Sequence, residues 1–199
     1  MRYPSDHKQA RRTQLLQASG ALAKQKGFGN TGMDALATAA GVTTGALYSQ
    51  FGSKADLLQA IVSQELGWIL AAFDGLDSPE QLFKALRRYL SPVHAEHPEL
   101  GCLVPSLGGE IGRADPATRE VFERGMLTLH ARIAAVLDDP DQAWALMCQA
   151  FGGILLARAM ASPETRDQLL HSLVAAVRPQ LRPEQAAEPQ SGTPSTHNA

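Results

Sequence analysis

Residues 31–60 read TGMDALATAAGVTTGALYSQFGSKADLLQA, and the spacing of their apolar side chains decides the fold. Met33, Leu36, Ala37 and Ala40 recur at helical intervals and Gly41 interrupts them. After a turn of about 3–4 residues, Val42, Ala46, Leu47 and Phe51 resume the apolar face. Two short helices joined in this way form a helix-turn-helix. Thr31-x-x-Asp34 has the spacing of a capping box, in which hydroxyl and carboxylate satisfy free N–H groups reciprocally. The first helix of the pair is therefore expected to begin at Thr31, and Ser53-x-x-Asp56 repeats the device one helix later.

The second helix of the pair, Thr44 to Gln50, turns Leu47 inward and leaves Thr43, Thr44, Gly45, Tyr48, Ser49 and Gln50 outward. In helix-turn-helix proteins the start of this helix reaches base edges in the major groove, and backbone amides at helix starts bind phosphate. A threonine methyl packs on a thymine methyl and a glutamine bonds bidentately to adenine. Tyr48 and Lys54 suit backbone phosphates, and Thr31 joins them as a candidate DNA contact. Two core helices around a glycine turn, with no DNA role, are the plain structural alternative.

The order A-x-x-A-G-V-T-x-G-x-L-Y-x-x-F-x-S-K-x-x-L over Ala37–Leu57, with Gly27-Phe28 just upstream, resembles the TetR family of one-component transcriptional regulators. The resemblance covers roughly residues 8–62. It implies an all-α chain with a three-helix DNA-binding domain over residues 1–53 and a helical effector-binding and dimerisation domain over residues 54–182. It also implies a homodimer, a double-stranded DNA operator and a small-molecule effector as partners.

Composition is compatible with that expectation. A chain of 199 residues, 44% of them hydrophobic, can bury a sizeable core. The net charge of −2 is unevenly placed. Seven basic against three acidic residues give +4 through residue 60, which leaves −6 for the remainder, so the basic end is the one that suits phosphate. Two cysteines, no secretory apolar segment and no apolar run near 20 residues point to a soluble cytoplasmic protein without a membrane partner. His94 and His97 precede Cys102 without a fourth ligand at compact spacing, so neither metal nor cofactor is expected.

Nine helices are expected along the chain. Residues 1–7 should fray; Leu15, Leu16, Ala18, Ser19, Leu22 and Ala23 then trace the first helix, which Gly27 closes. Lys8, Arg11 and Arg12 lie on its outward side. Helix four, from Lys54 past Phe73, is too long for the DNA-binding head alone and must join two cores, which makes it a candidate switch element. Ser78-Pro79, Asp115-Pro116, Asp139-Pro140 and Ser162-Pro163 each offer an N-cap followed by proline at the first helical position. Helix five runs through Leu90 and Val93, and a short helix six covers Cys102–Gly112. Helix eight is apolar over more than one stripe, so Phe151, Ile154 and Leu155 with Leu170, Leu173, Val174 and Val177 of helix nine are expected at a homodimer interface. From Pro183 the chain is rich in Pro, Gln, Ser and Thr, and the tail 183–199 is expected to be disordered.

Trp68, Phe73, Tyr89, Cys102, Met126, His130, Trp144, Met147 and Phe151 are the candidates for lining an effector pocket, since pockets are mostly aromatic and aliphatic. Cys102 admits a sharper reading: at the start of a helix its thiolate would be stabilised, and Gly101-Cys102-Leu103 resembles a subset of TetR-like proteins that answer electrophiles or oxidants. A small buried apolar residue is the alternative. Cys102 with His94 or His97 could also be read as nucleophile and base, but no orienting Asp or Asn and no phosphate loop accompany them, so an enzyme is not expected.

Overall fold

Five helices in the C-terminal two thirds begin on a proline, which needs no hydrogen-bond acceptor at the first position and presets φ. The computed structural model describes residues 4–181, which form ten α-helices, one 3₁₀ turn and no strand among the described residues. They are α1 Pro4–Lys26, α2 Met33–Ala39, α3 Thr44–Phe51, α4 Lys54–Ala72, α5 Pro79–Tyr89 and α6 Pro92–Glu96. After the 3₁₀ turn Pro98–Leu100 come α7 Leu103–Ile111, α8 Pro116–Leu137, α9 Pro140–Ala159 and α10 Pro163–Gln180. The expected tail 183–199 lies outside the described residues. Of the expected frayed start, residues 4–7 are already helical.

The tenth helix corrects the expected nine. Ser91-Pro92 is another cap-and-proline start: the Ser91 hydroxyl accepts from the His94 amide at 3.3 Å. Helix α5 therefore stops at Tyr89, and Val93, expected on its apolar face, sits on α6 with 67% of its surface exposed. Asp115, Asp139 and Ser162 cap as their sequences suggest, whereas Ser78 makes no side-chain cap.

The capping box at Thr31 does not form. Helix α2 begins at Met33 after Gly32, because the Thr31 hydroxyl donates instead to the Gly27 carbonyl at 2.6 Å and the Asp34 carboxylate accepts from Thr44 at 2.5 Å. At α4 the Ser53 hydroxyl accepts from the Asp56 amide at 3.0 Å and donates to its carboxylate at 2.6 Å, so that cap holds.

Helix α4 is the shared wall. It packs on α1, α3, α7 and α8, burying Leu57, Leu58, Ile61, Val62 and Leu66. The crossing with α8 is close because Gly125 faces Leu66; a Cβ there would come within 2.7 Å of the leucine. One buried ion pair lies in this wall. Lys24 Nζ of α1 donates to Glu65 Oε2 of α4 at 2.9 Å and to the Gly101 carbonyl ahead of α7 at 2.8 Å. A second tie runs from α7 back to the head, where the Glu110 carboxylate accepts from the amides of Phe28 at 3.0 Å and Gly29 at 2.5 Å.

Removing one partner of a buried pair strands the other charge. Lys24→Met is predicted to cost about 3–5 kcal/mol in urea unfolding, and Lys24→Met with Glu65→Leu to recover much of it. Burial raises the Glu65 carboxyl above its ordinary 4.5, and Lys24 opposes that rise. In the single variant the folded chain then binds a proton that the unfolded chain has released. The deficit is therefore expected to be small below pH 4.5, to grow as pH rises through the folded value, and then to level off.

Candidate functional site

The turn between α2 and α3 closes by a Schellman motif. The Gly41 amide donates to Thr38 O at 3.0 Å and the Val42 amide to Ala37 O at 3.0 Å, and Gly41 takes φ +67°. A residue with a Cβ is strained there, which is why glycine interrupts the apolar pattern. Thr43 caps the next helix, its hydroxyl accepting from the Ala46 amide at 3.2 Å. Leu47 and Phe51 are buried against α2 and α4, and this anchors the opposite side of α3 outward.

On that outward side Thr43, Gly45, Ser49 and Tyr48 are exposed, Tyr48 at 44%, and Thr44 and Gln50 are half-buried. Ala46, expected inward, is exposed as well. The Thr44 hydroxyl donates to Asp34, which leaves its methyl and its acceptor lone pairs for a base. Thr31 is buried with its hydroxyl occupied at Gly27, so it does not belong to the outward face. Two cations flank α3 on aromatic supports. The Arg12 guanidinium lies 4.5 Å from the Phe51 ring centre, and Lys54 Nζ lies 5.0 Å from that of Phe28 while donating to Gly29 O at 3.3 Å. Lys8 and Arg11 are exposed on the same helix as Arg12.

Within the body, Phe73, Tyr89, Cys102, Met147 and Phe151 line a small apolar cavity of about 30 Å³ between α4, α5, α8 and α9. The other four pocket candidates do not line it: Trp68 is exposed, Met126 is buried elsewhere in the core, and His130 stacks on Trp144 at 4.3 Å on the outer side of α8 and α9. Tyr89 packs edge-on against Phe151 and His94, and its hydroxyl faces the Cys102 thiol without a hydrogen bond of normal geometry. Burial raises the tyrosine's pKa, with Cys102 adding to the rise.

Cys102 does cap α7, its sulfur accepting from the Val104 amide at 3.4 Å. Burial nevertheless pushes the thiol up, which corrects the expectation of a helix-stabilised thiolate. Nor does a histidine serve the sulfur as a base. His94 Nε2 accepts from the Cys102 backbone amide at 2.9 Å, so Nδ1 carries the proton toward Tyr89 O at 2.7 Å, and burial lowers the pKa of this ring. His97 is exposed and paired with Glu99 at 3.2 Å.

The expected interface residues separate. Ile154, Leu170 and Val177 are buried inside the protomer, Leu173 packs where a Cβ on Gly153 would lie, and Val174 and Phe151 are half-buried. The close approach that Gly153 permits is made by Leu173 of the chain's own α10, and Ile154, Leu170 and Val177 are used up inside the protomer. Leu155 remains exposed at 53%, beside Leu156 at 51%. Leu156, Met160 and Trp144 are further exposed apolar residues of α9 and its C-cap.

Residues 15–61 match the family model described as bacterial regulatory proteins, tetR family. No curated protein matches the chain in sequence. Among solved structures, regulatory protein TetR from Rhodobacter sphaeroides is 26% identical with a TM-score of 0.70, covering 85% of this chain and 98% of its own. The reduced form of NemR from E. coli is 20% identical with a TM-score of 0.72, covering 84% and 95%. AibR in complex with isovaleryl coenzyme A and operator DNA is 18% identical with a TM-score of 0.62, covering 85% and 98%. Residues 15–61 thus carry the N-terminal domain of the tetR family of bacterial regulatory proteins, and the described body shares its fold with solved structures of such regulators.

Proposed function

We propose that this regulator is a cytoplasmic repressor that binds a near-palindromic operator as a homodimer and is released by a small-molecule effector. The observation that carries the reading is the mounting of α3: its inner side is locked by Leu47 and Phe51, while Thr43, Gly45, Tyr48, Ser49 and Gln50 face outward. Arg12 and Lys54, propped on aromatic rings at its flanks, are suited to phosphate. The exposed α9 side with Leu155 and Leu156 supports a two-fold contact that completes a four-helix bundle from α9 and α10. A dimer of this kind sets two recognition helices about one DNA turn apart.

The effector's place is the apolar cavity. At about 30 Å³ it is far below the roughly 300 Å³ or more of a ligand pocket, so an occupant must part its walls. One wall is α4, whose first half supports α3. An effector that prefers the parted state lowers operator affinity by its differential binding energy alone, with no chemical step. AibR, which shares this fold, has been solved with isovaleryl coenzyme A and operator DNA, and this supports a ligand-binding DNA reader.

Leu155→Glu places a charge in the proposed two-fold contact. It is expected to convert the dimer to a monomer by light scattering and to weaken operator binding at least about ten-fold; a dimer with undiminished affinity contradicts the reading. Lys54→Ala should weaken all DNA binding and flatten its salt dependence, whereas Gln50→Ala should change base preference at a cost of ~1–3 kcal/mol. In the native protein the exposed Cys148 should react freely with a thiol reagent unless the dimer covers it, and Cys102 only at the rate of unfolding. Rapid labelling of Cys102 would revive the electrophile-sensing alternative.

A further inference from the structure

A polar cleft of about 410 Å³ opens at the seam between head and body, away from the apolar cavity. Lys24 of α1, Arg158 of α9 and Arg166 of α10 reach it from three sides, with Ser106 of α7 and Glu96 of α6 between them. These cations are not equivalent. Lys24 faces Glu65 at 2.9 Å; Arg166 faces Glu96 at 2.8 Å and Asp167 at 2.9 Å. Arg158 has no carboxylate at ion-pair distance among the described residues, and Glu99 acts on it only from farther away. Its guanidinium donates to the Ser106 hydroxyl at 2.7 Å and to the His94 carbonyl at 3.2 Å, both neutral, while its Nε–H is buried without an acceptor.

A partly desolvated cation without a counter-charge is costly, and the cost falls when an anion arrives. Burial lowers the Arg158 pKa, which is the same cost expressed as a proton equilibrium. Guanidinium groups match carboxylate and phosphate oxygens in pairs, and a second arginine across the cleft supplies a further fork once Glu96, itself half-exposed, gives way. Met160 and Ala157 give the same cleft an apolar wall for an organic portion, and its volume is that of a small-molecule site.

We infer that this cleft binds a small organic anion through a carboxylate or phosphate group, with Arg158 as its main counter-charge and Arg166 as the second. Because Lys24 and the neighbouring Gln25 belong to α1, an occupant touches the DNA-binding head and the body at once. Any effect on operator binding rests on the function proposed above; the binding itself does not, and it is tested on the free protein.

The experiment is titration calorimetry of the full chain, without DNA, with citrate, inorganic phosphate and pyrophosphate at matched ionic strength. At least one probe is expected to bind saturably, one per chain, with sub-millimolar affinity, and the citrate and phosphate arms separate carboxylate from phosphate preference. Arg158→Gln and Arg166→Gln should each weaken it about ten-fold or more, while Arg124→Gln, on the exposed side of α8, leaves it unchanged. Should Arg158→Gln fail to fold, as judged by circular dichroism, Arg166→Gln decides alone. The inference is overturned if no probe binds up to about 10 mM, or if binding survives Arg166→Gln at full strength, which would leave Arg158 as a structural tie between α6, α7 and α9.

Discussion

The buried pair between Lys24 and Glu65 is the constraint on which the arrangement of this protein depends. Two charges leave water at the one place where the last turns of α1, the middle of α4 and the segment leading into α7 converge. Lys24 has three donor positions and uses two of them on partners from different elements, so the head cannot rotate against the body without breaking a desolvated contact. Hydrophobic packing alone would allow some sliding of helices. An ion pair with a third, carbonyl partner specifies one register. The Glu110 carboxylate at the amides of Phe28 and Gly29 fixes the other end of the same seam.

This arrangement gives α4 its mechanical meaning. Its N-terminal half supports the recognition helix and its C-terminal half forms a wall of a cavity too small to hold a ligand without opening. The close crossing at Gly125 and Leu66 means that the second half cannot move independently of α8. In the function proposed above, displacement of the cavity wall would be transmitted as a rigid shift rather than absorbed locally, as a two-state reader requires. The seam cleft with Arg158 lies on the same α1–body boundary, so the two proposed binding places act on one joint.

Much of the fold was legible because local signals and global packing agree. Gly41, the Ser53 cap and the proline starts at residues 79, 116, 140 and 163 all mark real helix boundaries. Errors fell where a side chain had a better partner outside its own helix start. Thr31 and Asp34 abandon a plausible capping box for Gly27 and Thr44, and no spacing rule reveals such a choice. Ser91-Pro92 could have been found by the rule that found the other four, had the apolar run of α5 not concealed it. For the dimer face, periodicity showed that α9 is apolar on more than one side, but not which side its own α10 would take; Gly153 decides that through contact with Leu173. The value of Arg158 was hidden entirely, since an arginine in an apolar helix shows its missing counter-charge only in three dimensions.

In the proposed dimer the buried pair would hold the two reading heads at a set separation. Distances between spin labels at Ser49→Cys, in a background with Cys102 and Cys148 replaced by serine, test this. The account predicts a narrow distribution near one DNA turn, about 34–36 Å, on operator DNA, and a clearly broadened one in DNA-free protein when Lys24→Met and Glu65→Leu are combined. An equally narrow distribution in that double variant and in the unsubstituted pair, both free of DNA, would contradict it.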